Sequence, residues 1–466
     1  MMSLAEAARA IGARAAGAGE ARRAGTEGRF SGVSTDSRTI GAGELFVAIR
    51  GEHFDGHDFL SMAKQRGAAG AMVDERYAGS APLPLLIVDD TRRGLGRLGR
   101  HWRGRFAPAL IAITGSNGKT TVKEMLASIL RRHAGDAASL ATRGNLNTDI
   151  GVPLTLLRLR AAHRYCAVEL GTNHPGEIAW LASLAQPTVA LVNNAQREHM
   201  EFMGTVEAAA RENASVFEAL PAQGTVVVNA DDAHAPLFRR AAGARRVVDF
   251  GIESAAAVSG GYVLKPLSSE IVVRMPAGEA QATLAIPGLH NVRNALAAAA
   301  CAIAAGIPPG AIGDGLSAFR PCAGRLQVTR LASGAILLDD SYNANPDSVR
   351  AAIDVLAAAP GETLLVLGDM GEVGAQGPGF HAEVGRHAKE RGIGALFALG
   401  EATRESVAAF GAGATHFADM EKLAASTRAR AVSGTTLLVK GSRFMRMERV
   451  VAALTGEMSG SDAGAH

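Results

Sequence analysis

Residues 109–121 read ALIAITGSNGKTT. The apolar run up to Thr114 predicts a buried strand, and Lys119 and Thr120 stand where a helix should start. Between them, Gly115 and Gly118 let the backbone turn tightly, so that successive N–H groups point at one oxygen-rich anion. The helix adds the positive end of its dipole and its unpaired first-turn donors. Thr114, Gly115, Ser116, Asn117, Gly118, Lys119, Thr120 and Thr121 thus read as a cradle for a nucleoside triphosphate such as ATP. Lys119 reaches the outer phosphates and the Thr120 hydroxyl ligates Mg²⁺. The strict pattern G-x-x-x-x-G-K-[ST] is not met, because its first glycine falls on Ile113. The alternative is an ordinary β–α turn that contains GKT.

Working outward, strands and helices alternate almost throughout, which predicts parallel α/β sheets. A length of 466 residues is expected to hold about three domains. Short strands at Leu45–Ile49, Ala71–Val73 and Leu85–Val88, with a helix over His57–Arg66, make a first α/β unit, residues 1–90. The cradle opens a second, residues 91–318, a P-loop-type parallel sheet with further strands at Tyr165–Leu170, Thr188–Asn193 and Thr225–Asn229. Between Tyr262 and Ile286 short strands and turns predict a meander at one edge of that sheet, and a helix over Asn291–Ala305 closes the unit. A third, Rossmann-like α/β unit spans 319–458, with strands at Ala335–Asp340, Thr363–Leu367, Ala395–Leu399 and Thr435–Val439. The small, polar tail SGSDAGAH, 459–466, is expected to be disordered. There is no internal repeat.

Composition excludes several classes. A net charge of +3, with no dense basic block, argues against nucleic acid; Arg22-Arg23, Arg131-Arg132 and Arg239-Arg240 are isolated pairs. Three cysteines, Cys166, Cys301 and Cys322, are scattered and odd in number, which fits a reducing compartment rather than a disulfide framework or zinc cluster. The longest apolar run, Ala295 to Ile307, is alanine-rich and too short to span a bilayer. The amino-terminal SLAEAARAIGA carries Glu6 and helical spacing of Leu4, Ala8 and Ile11, so it reads as a folded helix rather than a transit peptide. A cytoplasmic location is expected.

Chemistry gathers at strand ends, where open α/β sheets bind ligands. Glu169 closes one strand and Glu198-His199 follow another, so a carboxylate and an imidazole at adjacent strand ends suit a divalent cation. Alone, Glu169 reads equally as a salt-bridge partner and His199 as a loop histidine. Asn291 and Asn294, one turn apart, can read an adenine edge, although Asn291 also fits a plain helix cap.

The strings ITGSNGKTT, VELGTNHPGEI (168–178), PGLHNVRNALAA (287–298) and DDSYNANPDS (339–348) closely resemble the Mur ligases, ATP-dependent amide-forming enzymes of peptidoglycan precursor synthesis. STDSRTIGAGELFVAIRGEHFDGHDF (34–59) is similar to the uridine-nucleotide-binding domain shared by the E- and F-type members. GNLNTDIGVPLTLL (144–157), LGDMGEVG with His381 (367–381) and VKGSRFMRME (439–448) are the more F-like pieces. The resemblance covers nearly the whole chain, and the DNPR signature of E-type ligases that select a diamino acid is absent. It implies joining of D-alanyl-D-alanine to UDP-N-acetylmuramoyl-tripeptide; a monomer is expected. Lys119, Glu169, His199 and Asp340 would be catalytic, with Thr120, Glu169 and His199 on Mg²⁺. Asn291 and Asn294 would face adenine, while Arg325 and Asp340 would meet the nucleotide from the third domain. Asn145, Asn147, Thr172, Asn173 and His174 would line the muramoyl-peptide channel, with Ser37 and Arg38 at the uridine end. Lys440, Ser442 and Arg443 would orient the dipeptide.

One departure stands out. The family usually carries a lysine after the metal histidine whose carbamate bridges Mg²⁺, and counting from His199 that position falls on Asn213. The expectation is that Asn213 binds metal through its amide oxygen, or that a metal-bound water fills the gap. Glu212, about 100° around the helix, is a poor substitute. Three rivals remain: a folylpolyglutamate-type synthetase, which should lack the first domain; an E-type ligase; and a nucleotide-binding regulator without catalysis.

Overall fold

The computed structural model describes residues 1–16, 28–52, 54–80 and 82–456. The Arg22-Arg23 pair and the expected disorder of 459–466 lie outside the described residues. The chain forms three α/β units, each built on a mainly parallel sheet.

The central sheet explains why the cradle sits where it does. Its six strands run in the order Arg246–Phe250, Thr225–Asn229, Val189–Val192, Ala109–Thr114, Tyr165–Glu169, Ser139–Ala141, all parallel. The strand Ala109–Thr114 is therefore flanked by both strands whose ends carry candidate residues. Strand periodicity places Ile111 and Ile113 in one core and Leu110 and Ala112 in the opposite one. On the first face lie the helices Lys119–Ala134 and Leu289–Ala304; the second is covered by Gly151–Leu157, Glu177–Ala185 and Val206–Ala214.

The first unit has a five-stranded sheet in the order Arg14–Ala16, Leu85–Val88, Gly70–Asp74, Leu45–Val47, Val33–Ser34, with only the first pair antiparallel. The third has six strands in the order Gln327–Arg330, Ile336–Asp340, Thr435–Lys440, Glu362–Gly368, Ala395–Leu399, Ala414–Phe417, again with only the first pair antiparallel. Among the described residues no helix is long and apolar enough to cross a membrane.

Two differences from the sequence reading have physical causes. The expected edge meander is a separate three-stranded antiparallel sheet, Ser259–Lys265, Ser268–Met275 and Gly278–Leu284, joined to the central sheet by a single Phe250–Val258 bridge. Strand periodicity reports which face is buried, not which sheet supplies the partner. The helix Thr91–Arg103 was not foreseen, because Gly94, Gly96 and Gly99 depress its intrinsic propensity. Those glycines permit close approach: a Cβ at Gly96 would lie 3.0 Å from Trp180, and one at Gly99 3.0 Å from Pro153. Tertiary packing thus overrides propensity, and this helix seats the first unit on the second.

An ion cluster around the buried Asp74 ties the first unit together. Asp74 accepts from Arg50 Nε at 2.6 Å and Arg76 Nη2 at 3.1 Å, while Arg50 also pairs with Asp55. Burial pushes the Asp74 carboxyl up, but the two guanidinium groups outweigh it and hold the pKa at about 2. A folded value below the unfolded one stabilises the fold at pH above about 4, and that stabilisation is lost as pH falls toward 2. Asp74→Asn should therefore cost about 2 kcal/mol at neutral pH, with the gap to the parent closing between pH 4 and pH 2 in thermal melts. An equal gap at pH 7 and pH 2.5 would refute this.

Candidate active site

The phosphate turn is held from beneath by amides. Asn117 N–H donates to Asn194 Oδ1 at 2.8 Å, and the Asn117 carbonyl accepts from Asn193 Nδ2 at 2.8 Å and Asn194 Nδ2 at 3.0 Å. Gly115 has φ +127° and Gly118 φ +82°, the left-handed region that favours glycine. A Cβ at Gly118 would also collide with Asn294 Oδ1, so both positions need glycine for conformation and for space.

Lys119 Nζ donates to the Gly115 and Ser116 carbonyls at 2.6 and 3.1 Å and to both oxygens of Glu198 at 3.1 and 3.2 Å. Its charge is thus met by an acid at the mouth of the turn. Across the strand, Glu169 Oε1 accepts from the Thr120 hydroxyl at 3.1 Å and Asn147 Nδ2 at 2.8 Å. Its other oxygen, Oε2, is buried without a hydrogen-bond partner. A buried carboxylate oxygen left bare is costly, and this one lies in the residue that also holds the Thr120 hydroxyl.

His199 stands on a left-handed backbone at φ +50° and carries Glu372 Oε2 2.5 Å from Nδ1 and Glu198 Oε1 3.5 Å from Nε2. Burial opposes its charge, but the two carboxylates overcome that and raise its pKa to about 9. Among the described residues, no three His, Cys, Asp or Glu side chains converge as a cage for a metal. Glu169 is hydrogen-bonded to Thr120 and Asn147, whereas His199 sits apart in an ion-paired group with Glu198 and Glu372.

The third unit closes over this floor. Asn117 and Asn345 exchange amide contacts at 2.9 and 3.4 Å, and Arg325 Nη2 reaches the Thr120 hydroxyl at 3.3 Å. The Arg325 guanidinium lies 4.0 Å from the Tyr342 ring centroid. Asp340 is paired with Lys440 at 2.6 Å and accepts from Leu326 N–H at 3.1 Å. The resulting cleft encloses about 1420 Å³ and is lined from all three units, by Thr35, Gly51 and Phe54, by the turn with Thr121, Glu169 and His199, and by Arg325, Asp340 and Tyr342.

Several expected residues take other places. Asn291 donates to the Pro287 carbonyl and accepts from Asn294, which accepts in turn from Asn193. Both form an amide ladder behind the turn and also line the cleft, and the helix cap is Gly288, not Asn291. Ser442 is spent between Gly371 N–H and the Ala344 carbonyl, while Arg443 pairs with Glu448. Lys440 borders the cleft, but its ammonium is held by Asp340 and the Asn343 carbonyl. Ser37, Arg38 and Asn145 do not line the cleft; Arg38 is turned to its neighbour Asp36. Asn147, Thr172, Asn173 and His174 do line it, the last three on a loop gathered by Glu177 Oε2. Glu198, Glu372, Tyr342 and Asn345 were missed as site residues, although the run Asn193-Asn194-Ala195-Gln196 after a strand was a visible hint of side chains serving backbone groups.

The sequence matches the Mur ligase family catalytic domain over residues 29–103, the Mur ligase middle domain over 113–302 and the Mur ligase glutamate ligase domain over 324–443. It is 42% identical over 436 residues to the UDP-N-acetylmuramoyl-tripeptide–D-alanyl-D-alanine ligase of Escherichia coli, covering 92% of this chain and 95% of that one. The chain belongs to the Mur ligase family. A crystal structure of MurF from Acinetobacter baumannii superposes with a TM-score of 0.89 at 33% identity, covering 98% and 99% of the two chains. MurF from Thermotoga maritima in complex with ADP gives 0.80 at 25% identity, covering 93% and 99%.

In this Mur ligase, Asn213 is not available to a metal. Its amide oxygen accepts from the Thr114 hydroxyl at 2.6 Å and Gly115 N–H at 2.9 Å, and its Nδ2 donates to the Ala209 carbonyl at 2.9 Å. The expectation of an amide-oxygen metal ligand is corrected: Asn213 is a buried anchor for the start of the turn. Glu212 is equally committed, accepting Gly176 and Ile178 N–H at 2.8 Å each. Asn213→Ala would strand a buried hydroxyl and N–H, costing about 1–3 kcal/mol and raising the KM for ATP. Turnover by the parent should be insensitive to bicarbonate; an unchanged ATP KM in the variant, or strong bicarbonate dependence in the parent, would contradict the anchor role.

Proposed function

We propose that this Mur ligase joins D-alanyl-D-alanine to UDP-N-acetylmuramoyl-tripeptide at the expense of ATP, giving the pentapeptide precursor of peptidoglycan with ADP and phosphate. It acts as a cytoplasmic monomer. The observation that carries this reading is a cleft of about 1420 Å³ onto which the phosphate turn and all three units open. The nucleotide and both acceptors can therefore meet in one space. The well-formed first unit argues against a folylpolyglutamate-type synthetase, and the 42% identity to a tripeptide–dipeptide ligase argues against an E-type member.

Condensing a carboxylate with an amine in water is uphill, so the carboxylate must first be activated. The tripeptide's terminal carboxylate attacks the γ-phosphate in line, forming an acyl phosphate and releasing ADP. The dipeptide's free amine then attacks the acyl carbon and expels phosphate. Two anions must approach in the first step. Lys119 and the first turn of its helix offset their repulsion, and Lys119 must leave Glu198 to do so. Arg325 enters over Thr120 from the third domain, and Tyr342 stacks on its guanidinium.

The donor set fits Mg²⁺: Glu169 offers a buried carboxylate oxygen with no partner and Thr120 a hydroxyl, both hard oxygen ligands. Thr120 and Glu169 would hold Mg²⁺, with His199 as the third candidate ligand. The ion would neutralise and align the phosphate oxygens. Water competes with the dipeptide amine, so the third domain must close before the acyl phosphate forms.

The test is phosphate release from ATP with the nucleotide tripeptide, with and without the dipeptide. Fast release that requires both acceptors supports the ligase. Release that ignores them, or none with all three present, removes it.

A further inference from the structure

The segment 193–199 grips the phosphate turn through Asn193, Asn194, Gln196 and Glu198. Asn193 and Asn194 hold Asn117, Gln196 meets Ser116 and Asn117, and Glu198 meets Lys119. Arg197, in the middle of this run, faces the other way. Its guanidinium binds Asp347 through Nε at 3.1 Å and Nη2 at 2.5 Å, and Glu383 through Nη1 at 2.8 Å and Nη2 at 3.1 Å. Its backbone N–H also donates to Asp347 at 2.9 Å. The guanidinium lies 5.1 Å from the Phe380 ring centroid.

Both acids belong to the third domain, on different helices, Pro346–Ala357 and Gly377–Glu390. Asp347 follows the helix cap Asn345, which touches Asn117 of the turn. A planar fork that serves two carboxylates at once fixes orientation as well as distance, which a single ammonium cannot do. An isolated exposed ion pair would carry little weight. This one is mostly buried, with side-chain exposures of 22% for Arg197 and 24% for Asp347.

We propose that Arg197 is a positioning residue that registers the docked third domain and transmits it to the turn through Gln196 and Glu198. This inference rests on the ligase reading. Its consequence is coupling. With the domain docked, the acyl phosphate meets only the dipeptide amine. With docking loosened, a water oxygen attacks the acyl carbon, the acyl C–O bond to phosphate breaks, and the tripeptide carboxylate and phosphate are released. The net result is then hydrolysis of one ATP without peptide.

The test measures phosphate released per pentapeptide formed, with dipeptide KM and kcat, in the parent, Arg197→Ala, Arg197→Lys and the double variant Asp347→Asn/Glu383→Gln. The parent should give a ratio near one. Arg197→Ala should raise the ratio to about three or more and the dipeptide KM about tenfold, with ADP affinity within about twofold. Arg197→Lys should fall between. The double variant should reproduce the leak from the opposite side, so a folding failure of Arg197→Ala leaves the proposal open to refutation. A ratio of one with unchanged dipeptide KM in the variants that fold overturns it, even if they melt earlier. No pentapeptide from the parent would instead remove the ligase reading.

Discussion

Lys119→Ala should lower ligation by about a thousandfold or more while the unfolding temperature stays within a degree or two of the parent. The lysine is the only cation placed by the turn itself, and its ammonium already sits on the Gly115 and Ser116 carbonyls, at the rim of the turn. Removing it takes away the positive charge that the turn itself holds where the two anions meet. The fold loses little. Glu198, the lysine's partner, retains a contact with His199 and some access to water, at 15% side-chain exposure. Steady-state phosphate release together with a thermal melt checks both halves. Release at the parental rate would contradict the assignment of the turn.

Glu169→Gln should be the second most damaging change. The glutamine keeps an oxygen for the Thr120 hydroxyl and Asn147 amide, so the local hydrogen bonds survive. What disappears is the charge on the buried oxygen that has no partner, and with it the hard anionic ligand for a cation. Ligation should fall about 100-fold or more, and the Mg²⁺ concentration for half-maximal activity should rise at least tenfold. Titration with Mn²⁺ observed by its paramagnetic resonance gives a second readout independent of turnover. Binding of the parental strength in the glutamine variant would place the cation elsewhere.

Local chemistry was legible in the chain, and distant chemistry was not. The strand Ala109–Thr114, its glycine turn and Lys119 form one continuous stretch, and the apolar run ending in Glu169 announced a neighbouring strand, which pairs with it in register Glu169 to Ile113. Counting from His199 led to Asn213 beneath the turn. Its oxygen was misassigned because the partner Thr114 lies 99 residues away in sequence, a separation that no local pattern encodes. The same holds for Arg197, which is 150 residues from Asp347 and 186 from Glu383. Ser442 looked available because a hydroxyl after a strand end reads the same whether it faces a ligand or bridges two backbone groups. The helix Thr91–Arg103 and the separate antiparallel sheet escaped for a related reason: packing partners decided both.

Activation of the tripeptide carboxylate by phosphoryl transfer is the step on which ligation depends. The most direct test is to label both oxygens of that terminal carboxylate with ¹⁸O, supply ATP, Mg²⁺ and D-alanyl-D-alanine, and weigh the products. Attack of the carboxylate on the γ-phosphate predicts phosphate carrying one ¹⁸O for each pentapeptide formed, with the other label kept in the new amide carbonyl. Unlabelled phosphate alongside the pentapeptide would contradict it.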